Sequence, residues 1–269
     1  MIYRWQHLTS PELAALAGPD ALAVLVLGAI EQHGPHLPLS TDLDIATGLL
    51  EQALVRLEDG PDVFVLPALA LGASDEHAGF AGTLALSAEQ MAAQLERIGA
   101  AVARTGLRRL VLVNGHGGNI GWMGSAALRL RRRHEMLVVK ASYMSFRAPS
   151  HLLGAEELRL GLHGGQAETS MMMFLQPEQV RVGRLENFSS CAGELAPDAM
   201  LGPEGEAAWA WLAEDLNGRG VVGDAASADA ELGRQLVDFY AGKLARVMRE
   251  AATTRLAGLS HRSPAQSGP

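Results

Sequence analysis

The chain has 269 residues, 48% of them hydrophobic and 19% charged, which is enough apolar material for one large α/β core or two smaller ones. A net charge of −8 opposes binding to polyphosphates, and the single Cys191 excludes an internal disulfide and a cysteine-built metal cage. No apolar run approaches the roughly 18 residues of a membrane-spanning helix, and residues 1–7 lack the charged-then-apolar order of a secretory signal, so a cytoplasmic protein with no membrane or nucleic-acid partner is expected.

The first buried-strand pattern covers residues 23–27 and runs into Glu31-Gln32-His33-Gly34-Pro35-His36, with Asp42 and Asp44 beyond. Strand side chains alternate with period two, so Glu31 and His33 should emerge pointing the same way at the strand's carboxyl end. Carboxylate and imidazole donors at i and i+2 suit a first-row divalent ion, and Asp42, returning after a Pro-braced loop, is placed to bridge a second. A polar loop with a hydrogen-bonded histidine would also account for this segment taken alone.

Residues 63–71 form the next strand pattern and end in Gly72-Ala73-Ser74-Asp75-Glu76-His77. Ser87-Ala88-Glu89-Gln90 has capping-box spacing. It opens a helix with Met91, Leu95, Ile98 and Val102 on one stripe, stopping at Gly106. The strand 109–113 follows at once and leads into Asn114-Gly115-His116-Gly117-Gly118-Asn119, where His116 is the one strong metal donor. A phosphate cradle is the alternative, but the glycine spacing matches no nucleotide-binding loop. Arg129, Arg131, Arg132, Arg133 and His134 sit late in a helix, where cations suit the dipole, and read as a solvated helix end.

Residues 137–143 complete the strand patterns. His163-Gly164-Gly165-Gln166-Ala167-Glu168-Thr169 then leads into a helix whose Met171, Met172 and Met173 read as core, ending at Gln176-Pro177. Glu168 in the first turn would suit the dipole by itself. His163, in a glycine setting beside it, is a candidate for moving a proton to a leaving nitrogen. Residues 187–226 read as loops and a short helix over the core, and a long helix resumes near Asp229. Residues 1–255 are expected to form a single domain and 256–269 a disordered tail. The strand, helix, strand order predicts an α/β fold with a mainly parallel sheet layered between helices. Such sheets bind ligands beyond the carboxyl ends of their strands, and three of these strands end in loops bearing histidine and acids.

Taken together, Glu31-x-His33-Gly34 with Asp42, Asn114-Gly115-His116-Gly117-Gly118-Asn119, and His163-Gly164-Gly165 with Glu168-Thr169 resemble the creatininase family of amidohydrolases, over about residues 8 to 250. The resemblance implies a layered α/β/α domain, commonly a homohexamer, holding two divalent ions per subunit: zinc or manganese, with iron also compatible. It implies one ion on Glu31, Asp42 and His116, and a second shared by Asp42 and held partly by His33. Creatininase has a glutamate two residues past the loop histidine. Gly118 stands there in this chain, and Glu168 is assigned the missing role. His163 would be catalytic, and Ser74, Glu76 and His77 would shape the substrate pocket. Creatininase also has an aromatic residue just after the loop histidine and a Trp-Asp pair before the His-Gly-Gly turn. Gly117, Arg159 and Leu160 stand there here, so creatinine is not the expected substrate. The implied activity is metal-dependent hydrolysis of a carbon–nitrogen bond in a small cyclic or linear amide. The alternatives are a peptidase that trims a mycofactocin-type precursor and, in another class, a non-catalytic metal-stabilised binding protein.

Overall fold

A computed structural model describes residues 1–57, 60–196 and 199–255, so the tail expected at 256–269 lies outside the described residues. Five strands, β1 (Ile2–Arg4), β2 (Leu22–Leu27), β3 (Val63–Val65), β4 (Arg109–Asn114) and β5 (Leu137–Ser142), form one parallel sheet in the order β1-β3-β2-β4-β5. The helices are α1 (Ser10–Leu16), α2 (Thr41–Val55), α3 (Ala88–Arg104), α4 (Asn119–His134), α5 (Ala155–Leu160), α6 (Gln166–Leu175), the short α7 (Ala213–Leu216) and α8 (Ala230–Thr253).

The strands β2 and β4 are apolar almost throughout because both faces are covered, which is the usual condition of a parallel sheet. On one face Ala23, Leu25, Leu27, Phe64, Leu110 and Leu112 pack with Met91 and Leu95 of α3 and with Trp122, Met123, Ala126 and Leu130 of α4. On the other, Leu22, Val24, Val26, Val63, Val65, Val111 and Val113 pack with Ala46, Leu50 and Leu54 of α2 and Ala241, Leu244 and Met248 of α8. Each large side chain so buried contributes about 1.5–3 kcal/mol. A third cluster joins Ile45 and Leu49 of α2, Met171 and Met172 of α6, and Leu236 and Tyr240 of α8, so two of the three methionines are core.

The boundaries have local causes. Ser87 Oγ accepts from the Gln90 amide at 3.3 Å and Gln90 Oε1 accepts from the Ser87 amide at 2.9 Å, which completes the capping box of α3. The third strand is shorter than its pattern, because Pro67 has no N–H for the ladder. The chain rejoins β2 at Leu69, whose amide reaches the Val26 carbonyl at 3.0 Å. The expected buried strand at 137–143 is an edge strand, with Leu137, Val138 and Val139 only half-buried and Lys140 exposed. The N-terminal β1, too short to carry a pattern, closes the other edge. At the end of α4, Arg129 and Arg133 pair with Glu96 of α3 at 2.5 and 2.8 Å. No helix among the described residues is long and apolar enough to cross a membrane.

Candidate active site

Three loops leave the carboxyl ends of β2, β3 and β4 on the same side of the sheet, and one buried side chain ties them together. Asn119 Nδ2 donates to Gly28 O after β2 and to Asn114 Oδ1 at the end of β4, both at 3.1 Å. Its Oδ1 accepts from the Ala73 amide after β3 at 3.2 Å and from Trp122 Nε1 at 3.1 Å. The β2 loop closes on itself where the Glu31 amide meets the Leu39 carbonyl at 3.0 Å. That closure delivers Asp42 in the first turn of α2, and α6 delivers Glu168 in its own first turn.

The donors converge. His116 Nδ1 lies 3.3 Å from Glu31 Oε2 and 3.1 Å from Asp42 Oδ2. His33 Nε2 lies 3.3 Å from Asp42 Oδ1 and 4.0 Å from Glu168 Oε2. His163 Nδ1 lies 3.8 Å from Glu31 Oε1. Glu31, Asp42 and His116 form one group, and His33, Asp42 and Glu168 another, with one ligand atom per residue and all atoms of a group within 4.8 Å of one another. Asp42 belongs to both. Although these atoms are close, both Glu31 oxygens, Asp42 Oδ2 and His33 Nε2 are buried without a hydrogen-bond partner. Buried carboxylate oxygens left unpaired are costly. Oxygens and nitrogens aimed at common points between them, and not along each other's hydrogen-bond directions, match the needs of divalent cations.

Three of the histidines are held in the manner typical of ligating imidazoles, with the far nitrogen donating to a backbone carbonyl. His33 Nδ1 donates to Glu31 O at 3.2 Å, His116 Nε2 to Ala73 O at 2.8 Å and His163 Nε2 to Gln32 O at 2.8 Å. Glu168 is fixed from both sides, by the Tyr143 hydroxyl on Oε1 at 2.9 Å and the Gly164 amide on Oε2 at 2.7 Å.

The buried carboxylates and imidazoles act on one another's charge. Burial opposes charge on His33, but Asp42, Glu168 and Glu31 outweigh it and hold its pKa up at about 9. His116 is likewise raised well above its ordinary value, Glu31 and Asp42 overcoming its burial. Asp42, against its own burial, is drawn far below the usual carboxylate range by His33 and His116. Burial pushes His77 down to about 2 and lowers His163, in both cases with help from neighbouring imidazolium charge. Carboxylates buried this close together are what bound cations would neutralise.

A cavity of about 540 Å³ opens onto these groups, with Glu31, Asp42, Glu76, His77, His116, His163 and Glu168 at its acidic floor. Ile120, Met144, Leu162, Ala210 and Trp211 supply apolar wall, the last two from the stretch expected to form loops over the core. Glu76 and His77 line the cavity. Ser74 does not: it is fully buried, with Oγ 3.2 Å from His116 Nε2, so its contact is with that histidine. Gly118 could not carry a side chain, because a Cβ there would come within 2.2 Å of Ala73 O and 2.6 Å of Glu76 Oε1. Arg159 is exposed and Leu160 is buried in α5, and neither lines the cavity. Sequence reasoning passed over Tyr143 and Gln32. Tyr143 had a weak signal, its place at the carboxyl end of β5. Gln32 had none beyond lying between two candidate ligands.

The family model described as creatinine amidohydrolase matches residues 6–248. The chain belongs to the creatininase family. Members of this family hydrolyse carbon–nitrogen bonds, and this one is a hydrolase of that class. The mycofactocin precursor peptide peptidase of Mycobacterium tuberculosis (strain ATCC 25618 / H37Rv) is 37% identical over 256 residues, covering 90% of this chain and 92% of that protein. Among solved structures, a manganese creatininase has a TM-score of 0.74 at 25% identity, with 94% of this chain and 100% of that chain covered. A zinc–zinc form of a mutant creatininase has a TM-score of 0.76 at 25% identity, covering 93% and 98%. The manganese- and zinc-bearing creatininases thus share the fold of this chain.

Proposed function

We propose that this creatininase-family hydrolase cuts an amide bond in a peptide substrate at a centre of two divalent ions. The observation that carries the reading is Asp42, shared by two donor groups whose buried oxygens lack other partners. Glu31, Asp42 and His116 would hold one ion, and His33, Asp42 and Glu168 the other. Zinc and manganese suit this mixture of carboxylate and imidazole, and iron is compatible.

When bound, such ions make a water nucleophilic near neutral pH and polarise the carbonyl under attack. The protein's own side chains do the rest. His163 presents Nδ1 toward the centre while its Nε2 is spent on the Gln32 carbonyl, so Nδ1, which holds the lone pair, is the atom that takes the proton released by the attacking water and passes it to the departing nitrogen. Glu76 and His77 meet the substrate from the cavity wall, and the apolar flank of Ile120, Met144 and Trp211 seats the parts of it that do not react.

A peptide is favoured over a small cyclic amide by the 37% identity to a precursor peptide peptidase across nearly the whole chain, and by Gly117, Arg159 and Leu160 standing where creatininase builds its creatinine pocket. The small-amide reading keeps the support of the family description. The finer assignments belong to the same proposal: a single catalytic domain over residues 1–255, assembled as a homohexamer and working in the cytoplasm. The test is product analysis by mass spectrometry after incubating peptides, formamides and creatinine with protein loaded with zinc or manganese. Cleavage of a peptide bond that chelation abolishes is the expected result. Turnover of small amides alone would return the assignment to that class, and two ions bound with no turnover of anything would favour the binding protein.

A further inference from the structure

Four histidines surround the carboxylates, and three of them are backed by carbonyl oxygens. The fourth, His77, is backed by a donor. Its Nδ1 lies 2.8 Å from Gln32 Nε2, inside a buried contact. Which end of the Gln32 amide is nitrogen follows from its other bonds. The Gly34 amide donates to Gln32 Oε1 at 3.0 Å, and Gln32 Nε2 donates to the Gly220 carbonyl at 2.5 Å. A backbone N–H can only donate and a carbonyl can only accept, so the reversed amide would face both wrongly. The nitrogen against His77 Nδ1 therefore carries hydrogen, and Nδ1 must accept. The ring's one proton is left on Nε2, which points at Glu31 Oε1 from 3.4 Å.

The same residue acts oppositely on the ring stacked upon His77. His163 lies 4.2 Å away between centroids, at 28° between planes, and its Nε2 donates to the Gln32 backbone carbonyl at 2.8 Å. That bond turns Nδ1 of His163, and with it the lone pair of the neutral ring, toward Glu31. One glutamine thus gives two adjacent imidazoles opposite polarity at the centre: an acceptor from His163 and an N–H from His77. Its own position is fixed by a third element, since its backbone amide donates to Thr83 Oγ1 at 3.1 Å.

We infer that Gln32 is a positioning residue that keeps His77 as an N–H donor facing the reaction centre, and so excludes it from metal ligation. This rests on the hydrolase reading above for its consequence but not for its chemistry. An N–H at that place can hydrogen-bond a substrate carbonyl oxygen or the charge that develops on it. A lone pair there would instead compete for an ion, as the proximity of His77 to Glu31 and Glu76 would otherwise suggest.

The test uses the full chain loaded with zinc, which is diamagnetic, and labelled with 15N-histidine. The wild-type spectrum is expected to show both His77 and His163 protonated at Nε2 only. A proton on His77 Nδ1, or a metal-bound His77, overturns the inference whether or not any substrate is turned over, which separates its failure from failure of the hydrolase reading. Gln32→Met keeps the length and removes the amide. It is expected to mix the His77 tautomers, leave the ion content unchanged and lower kcat roughly 10–100-fold, the usual cost of losing a partner that orients an active-site imidazole. In a His77→Ala background the same change is expected to add no further loss, and additive losses would count against the inference. Gly220→Ala serves if Gln32→Met does not fold. Its Cβ, on a backbone at φ +76°, would come within 2.5 Å of Gln32 Oε1 and displace the amide without replacing it. It is expected to disturb the same His77 signals, and an unchanged His77 spectrum in that variant would overturn the inference.

Discussion

The Tyr143 hydroxyl donates to Glu168 Oε1 at 2.9 Å from a buried position at the end of the sheet. With the Gly164 amide on the other oxygen, this leaves Glu168 little freedom to turn from His33 and Asp42. Tyr143→Phe should therefore weaken the binding of one ion by roughly 10–100-fold while the other stays bound. Ion content measured at limiting metal is expected to fall from two per chain toward one, and an unchanged content would separate Glu168 from the centre.

Asp42 is the group common to both donor sets, so its loss differs in kind from the loss of either neighbour. Asp42→Ala is expected to release both ions and abolish turnover, whereas Glu168→Ala retains the ion on Glu31 and His116. Because ions that bind only the folded chain stabilise it, wild-type protein stripped by chelation should unfold more readily. The difference is about 2.7 kcal/mol when free metal stands at 100 times its Kd. Chemical denaturation with and without chelator measures it.

Ion affinity should rise with pH. In the ion-free chain His33 is held up at about 9 by Asp42, Glu168 and Glu31 against its burial, so at neutral pH an ion must displace its proton. Each displaced proton makes affinity rise about tenfold per pH unit, and the rise from His33 levels off near its raised pKa. Stability of the ion-free protein moves the other way: the part due to charged His33 is fully present below the unfolded value, about 6.5, and is lost as pH rises through about 9. Competition against a chelator across this range, paired with denaturation of the stripped protein, tests both signs.

His163→Ala should lower kcat by roughly 10²–10⁴-fold, the usual contribution of a placed acid–base group, with two ions still bound. Loss of an ion together with activity would instead make His163 a ligand, since its Nδ1 also groups with Glu31 and His33.

Asn119→Ala tests the staple. The change would strand the Ala73 amide, the Gly28 carbonyl and Trp122 Nε1, all now bonded to one fully buried amide. Orphaned buried groups cost about 1–3 kcal/mol each, less what local rearrangement recovers. A loss of about 2–5 kcal/mol in denaturant unfolding is expected. A loss below about 0.5 kcal/mol would mean that the three loops hold together without it.

The sheet and the donor loops were legible because their signals are local. Residues 23–27 and 110–113 are apolar on both faces only because helices cover both, and Glu31, His33 and His116 follow those runs within a few positions. The family resemblance added Glu168 where local reading offered only a helix first turn. What escaped depends on partners remote in the chain. Ser74 belongs to a pocket loop by position, and only packing against His116 turns it inward. Gln32 takes its role from Gly220, 188 residues away, and no spacing rule reaches that far. The strand at 63–71 was overextended because its composition hides what Pro67 does to a ladder.

The donors are gathered from four separate segments, the last of them α6, which leans on α2 and α8 through Met171, Met172 and Leu236. A fragment that ends before α8 lacks part of the packing that seats α6, and with it Glu168 opposite His33. The position of Glu168 relative to His33 thus depends on packing made by the last helix of the described chain.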